Sequence, residues 1–120
     1  MSNLGRLGLL VFAPILLLTG ASGFFISPAQ SAMSVAPAYN VFHLIFGAIG
    51  LGCALSRRAR AIRAFNLGFG AIDLYQAAAS AMHWFPMEQF RWKRADDVLH
   101  VVIGVALVAL GLLTRKQREG

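Results

Sequence analysis

Two histidines stand in the same setting at two places in the chain. The stretches Asn40-Val-Phe-His43-Leu-Ile-Phe-Gly47 and Asp97-Val-Leu-His100-Val-Val-Ile-Gly104 both read Asn or Asp, two residues, histidine, three residues, glycine, and they lie 57 residues apart. Two neutral imidazoles at equal depth on neighbouring helices are suited to bind the two sides of a haem iron, and a single one suits chlorophyll. Gly47 and Gly104 would leave space for a flat ring beside His43 and His100. The simpler reading is that each histidine hydrogen-bonds between helices and sets their register, a pattern that duplication of a structural element leaves in matched pairs. Asn40 and Asp97, three residues earlier, are then expected to cap their helices.

Asp73 is the other residue that invites chemistry, because it falls in the middle of an apolar run. A carboxylate at that depth costs at least about 2.5 kcal/mol in lipid unless it is paired or solvated. Projected at the helical period, Asn66, Asp73, Gln76, Ser80 and His83 fall on one side of the helix. Such a stripe is a polar seam against neighbouring helices, and a proton or ion path would need more than one ionisable group at depth. His43, His83 and His100, with Glu88, Asp96 and Asp97, supply metal-ligand types, but without a compact spacing such as HExxH. No nucleophile with a base partner, no phosphate loop and no paired buried carboxylates are present, so no enzyme is expected.

The elements that must carry these residues follow from composition. Of the 120 residues 58% are hydrophobic and 13% charged, too little charge to coat a soluble globule. The net charge of +6 comes from short basic clusters beside apolar runs, which reads as membrane topology rather than nucleic-acid binding. Four runs are long enough to span hydrocarbon as helices: about Leu7 to Ile26, Tyr39 to Leu55, Ile62 to Met82 and Val98 to Leu113. They lack the alternation of an outer-membrane strand. The expected architecture is all-α, an integral membrane four-helix bundle occupying residues 1–120 as one transmembrane domain. Cys53 is the only cysteine, so no intramolecular disulfide and no cysteine-based redox pair can form.

Arg6, the apolar stretch after it and Ala29-Gln30-Ser31 imitate a secretory signal and cleavage site. The run is longer than a signal core, and it is read instead as a spanning helix bent at Pro14, with Gly20 and Gly23 loosening its outer end. Arg6, Arg57, Arg58, Arg60, Arg63, Arg115, Lys116 and Arg118 place eight basic residues on one side, against three, Arg91, Lys93 and Arg94, on the other. The richer side is the cytoplasm, so both termini are expected there. Ser27 to Ala38 is an uncharged outer connection. His83 to Asp97 interleaves Trp84, Phe85, Phe90 and Trp92 with basic residues, as expected of a segment whose rings dip into the headgroup zone.

The 57-residue offset matches one helical hairpin, which predicts two parallel hairpin repeats. The Asn40/His43/Gly47 motif, the arginine-rich inner loop and the Asp97/His100/Gly104 motif together resemble a family of small bacterial four-helix membrane proteins catalogued only as a domain of unknown function, over Tyr39 to Thr114. That resemblance implies the fold and no activity, substrate or cofactor. The expected role is a non-catalytic accessory or scaffolding subunit in a bacterial inner or internal membrane. Its partners would be the lipid bilayer and other membrane-protein helices or a larger membrane complex. Tetrapyrrole binding by His43 and His100 is the alternative.

Overall fold

The computed structural model describes residues 4–114, and the basic tail at Arg115, Lys116 and Arg118 lies outside them. The described chain is all-helical. Four long helices, α1 (Leu4–Ser22), α2 (Pro37–Ser56), α3 (Ala59–Met82) and α5 (Arg94–Thr114), are joined by short connections, with a single turn α4 (Met87–Phe90) before the last. Three of them, α1, α2 and α5, are long and apolar enough to cross a membrane. At 24 residues α3 is the longest, but Asn66, Asp73, Gln76 and Ser80 dilute its apolar character.

Each helix starts and stops for a local reason. Pro37 occupies the first turn of α2, where its fixed φ suits the helix and its missing N–H removes nothing. The helix therefore begins two residues before the apolar run. Asn40 is consequently inside α2 and not its cap: its Nδ2 donates to the Val35 carbonyl at 3.0 Å. Likewise α5 starts at Arg94, so Asp97 is internal. Asp96 is the residue that reaches back, accepting the Lys93 N–H at 2.9 Å as the acidic member of a capping box does. Arg57 (φ 61°) and His83 (φ 58°) end α2 and α3 in the left-handed conformation.

Packing pairs α1 with α2 and α3 with α5 most extensively. On α2 the buried positions include Tyr39, His43, Gly47, Gly50 and Ala54, and on α5 Asp96, His100, Gly104, Leu107 and Gly111 are buried. The second set is the first shifted by 57 residues. The partners shift with them: a side chain on Gly47 would meet Leu17, and one on Gly104 would meet Leu74. Backbones come closest where Gly70 of α3 crosses Gly104 of α5. A Cβ on either glycine would lie 3.0 Å from the other's carbonyl oxygen, an approach that in lipid needs small residues. Leu9, Ala13, Leu16, Ile62, Phe65 and Phe69 form the apolar centre. Leu18, Val102 and Val105 project outward.

The connection after α1 and the one after α3 meet at one end of the molecule. Lys93 Nζ donates to the carbonyls of Pro28 (2.6 Å) and Ser31 (2.8 Å), and the Ser34 hydroxyl donates to the Phe90 carbonyl. At the opposite end Arg6 Nε donates to the Ala54 carbonyl at 2.8 Å.

Candidate functional site

Below the joined connections lies a network that the motif only partly foretold. Tyr39 and His43 are one turn apart on α2, and Asp96 and His100 one turn apart on α5. The Tyr39 hydroxyl donates to Asp96 Oδ1 at 3.2 Å and lies 2.7 Å from His100 Nε2. Asp96 Oδ2 accepts the backbone N–H groups of Ser34 (2.7 Å) and Lys93 (2.9 Å). A carboxylate holding those two donors on one oxygen acts as an acceptor on the other. The single Tyr39 proton therefore goes to Asp96, and the tyrosine oxygen accepts from His100 Nε2–H. Neutral His100 is left with a lone pair on Nδ1.

His43 packs its ring against Tyr39, with centroids 4.2 Å apart. Both histidines are buried, each 5% exposed, and neither Nδ1 atom has a hydrogen-bond partner. His43, His100, Tyr39 and Asp73 line one cavity of about 370 Å³, together with Phe12 and Phe69. Met33, from the connection after α1, also reaches it. The lining residues that come to the surface are Val11 and Ile15 of α1 and Leu99 of α5. The cavity thus opens sideways between those two helices.

The residues of the expected seam, Asn66, Asp73, Gln76 and Ser80, are all buried. They do not form one continuous chain of hydrogen bonds. Gln76 Nε2 donates to Asp73 Oδ1 at 3.1 Å, and Gln76 Oε1 accepts from Trp92 Nε1 at 3.1 Å. Asn66 is separate, its Nδ2 donating to the Gly5 carbonyl at 3.4 Å. His83 leaves the stripe altogether, because it ends α3 and is exposed. Trp92 corrects the expectation for the second outer connection. Trp84 and Phe85 are exposed, as interfacial rings are, but Trp92 is 5% exposed and its indole N–H serves the seam.

Sequence reasoning missed Tyr39 as a site residue and named Asp96 only as a metal-ligand type, not as its partner. A signal was present: both stand four residues before a motif histidine, at places related by the 57-residue offset. The histidines themselves are brought to one cavity. Ligation of one metal through Nε2 of both would require the Tyr39 hydroxyl to leave His100. Among the described residues, no three His, Cys, Asp or Glu side chains are grouped as metal ligands would be.

Residues 6–113 match the family described as "Domain of unknown function (DUF4383)". The chain belongs to this family. DUF4383 carries a description without an activity, so membership fixes kinship over nearly the whole chain and assigns no role to Tyr39, Asp96 or the histidines. No curated protein and no solved structure is significantly similar to the chain.

Proposed function

We propose that the chain is a non-catalytic integral membrane protein that packs against other membrane proteins as an accessory or scaffolding subunit. The observation that carries this reading is the outward face of α3. Ala64, Gly68 and Ala71 share that face and are exposed, as far as Tyr75, which stands exposed in the same stripe, and a Cβ on Gly68 would meet nothing within 4 Å. Small residues on a helix surface let a second helix approach closely in lipid, where apolar side chains gain little by leaving the tails. Gly70 and Gly104 are used inside the fold in this way, whereas Gly68 is not. Purification in mild detergent tests the reading. Stoichiometric recovery of a larger complex from wild type, and its loss in Gly68→Leu with unchanged thermal stability, is the expected result. A solitary monomer from wild type would overturn it.

In this proposal α3 is a fourth span, its seam turned inward and its small residues turned to a partner. The bundle is two copies of one hairpin, a reading supported by the matching buried positions of α2 and α5. Both termini lie in the cytoplasm of a bacterial inner or internal membrane, supported by Arg6, Arg57, Arg58, Arg60 and Arg63 clustering at one end. A second reading, tetrapyrrole binding, is favoured by the presence of both His43 and His100 in one cavity. Its test is the absorption spectrum of protein from haem-supplied cells. A Soret band lost in both His43→Ala and His100→Ala supports it, and a colourless protein removes it.

A further inference from the structure

The end of the molecule away from the joined connections carries charge of one sign. Arg6 lies in the first turn of α1, Arg57 and Arg58 link α2 to α3, and Arg60 and Arg63 stand early in α3. Two contacts draw these elements together: Arg6 Nε donates to the Ala54 carbonyl in the last turn of α2, and Asn66 Nδ2 of α3 donates to the Gly5 carbonyl beside Arg6. The carboxylates of the described residues are elsewhere. Glu88, Asp96 and Asp97 belong to α4 and the start of α5 at the far end, and Asp73 stands about 15 Å beyond Arg63 along α3. Among the described residues, five arginines thus share one end with no carboxylate to balance them.

A signal for membrane orientation needs only charge beside a span, and two of these side chains are more constrained than that. Arg6 and Arg63 are half-buried. The Arg6 guanidinium is held by the end of α2, and Arg63 Nε is sealed from solvent without a partner. A cation withdrawn from water in this way is costly unless an opposite charge meets it. No described residue supplies one, and the sealed Nε is out of reach, so the counter-charge must meet the Nη groups of Arg63 from outside the chain.

The surroundings say what carries that charge. Leu7 follows Arg6 and Leu55 lies just before the Arg57 connection, exposed 54% and 62%, both on helices able to cross a membrane. An anion at this end sits between guanidinium groups, which pair phosphate oxygens two at a time, and an apolar surface. A phosphate bearing acyl chains is matched on both counts, a free phosphate on one. A zwitterionic lipid would bring a cation of its own to arginines already unbalanced.

We propose that the arginine end of the bundle binds the head group of an anionic phospholipid, with Arg63 as its anchor and Arg6, Arg57, Arg58 and Arg60 supplying the attraction around it. The site rests on the reading of the chain as membrane-spanning but not on its accessory role, since a solitary monomer would bind the lipid equally.

The test titrates the full chain in detergent, where orientation in a bilayer has no bearing, with phosphatidylglycerol or with phosphatidylcholine of the same acyl chains, and counts bound lipid by native mass spectrometry. Phosphatidylglycerol is expected to bind at least about fivefold tighter, the scale of one basic residue acting on a net negative charge. Arg63→Gln should weaken it by about the same factor. Arg57→Asn combined with Arg58→Gln should weaken it further. That pair lies in an exposed connection, and Asn suits the left-handed backbone at residue 57 (φ 61°), so the double variant serves even where Arg63→Gln does not fold. Arg94→Gln, which removes the same charge at the other end, should leave binding unchanged. Equal affinity for the two lipids would overturn the charge assignment, and a loss in Arg94→Gln as large as in Arg63→Gln would overturn the location. Full displacement of the lipid by equimolar inorganic phosphate would overturn the lipid as occupant. Binding of wild-type strength in both the Arg63 and the double variant would overturn the site itself.

Discussion

Tyr39 and Asp96 each stand four residues before a motif histidine, 57 residues apart, and they are hydrogen-bonded to each other across the molecule. This pair, with His100 added at 2.7 Å from the tyrosine hydroxyl, therefore fastens the first hairpin to the second where neither hairpin packs on the other extensively.

Removing that hydroxyl should be felt at two buried atoms. In Tyr39→Phe both Asp96 Oδ1 and His100 Nε2 lose their partner, and an unsatisfied buried group costs about 1–3 kcal/mol. Thermal unfolding in detergent is expected to fall clearly below wild type for Tyr39→Phe. It should fall further for Asp96→Ala, which also releases the backbone of Ser34 and Lys93. Wild-type stability in Tyr39→Phe would mean that the hydroxyl does not join the hairpins.

Asp73→Asn and Asp73→Leu should differ in accumulation in the membrane. Asn keeps an acceptor for Gln76 Nε2, whereas Leu strands that amide between Asp73's place and Trp92. The expected gap is about 0.6 kcal/mol, and no more than about 1.7, the range for polar contacts between spanning helices. Equal accumulation of the two variants would show that Gln76 draws nothing from residue 73.

Glycine substitutions should divide by location. Gly104→Ala places a methyl group 3.0 Å from the Gly70 carbonyl oxygen and 2.8 Å from Leu74. Backbone cannot swing aside as a side chain can, so a loss of about 1–3 kcal/mol is expected, the usual cost of overpacking. Gly52→Ala, with open space around its Cβ, should be neutral or slightly stabilising. A calorimetric comparison of the two in one detergent checks this, and equal melting temperatures would contradict the close crossing of α3 and α5.

Orientation is testable by thiol labelling in a Cys53→Ala background, since Cys53 is the one native cysteine. Cysteines at Gln30 and Gln89, both exposed in the joined connections, should react with an impermeant reagent outside intact cells. One at Ser56, exposed at the other end, should react only after lysis. Ser34 is a poor probe despite its place in the first connection, because it is 4% exposed.

Long apolar runs with few charges made the helices readable, as continuous hydrophobicity of spanning length leaves the backbone little else to form. Their ends were less so. The apolar run of α5 begins at Val98, yet the helix begins at Arg94, because a charged first turn costs nothing outside hydrocarbon. The same error moved Asn40 and Asp97 from helix interiors to caps. His43 and His100 were legible from their repeat, but the residue that joins them was not. Tyr39 is an ordinary aromatic near an apolar run until the fold places Asp96 opposite it. Trp92 looked interfacial for a related reason: an amphipathic ring suits a headgroup zone as well as a buried acceptor, and only the position of Gln76 decides between them.

Only Arg57 and Arg58 separate α2 from α3. A connection of that length reaches at most about 10 Å, which is close to the 8–10 Å between the axes of helices in contact. The two helices are thus tethered as neighbours at this end. Away from the tether they part, and Ala38 and Phe42 of α2 with Ile72, Tyr75 and Gln76 of α3 line a second cavity of about 440 Å³, so the short leash holds the pair together like a hinge closed at one edge only.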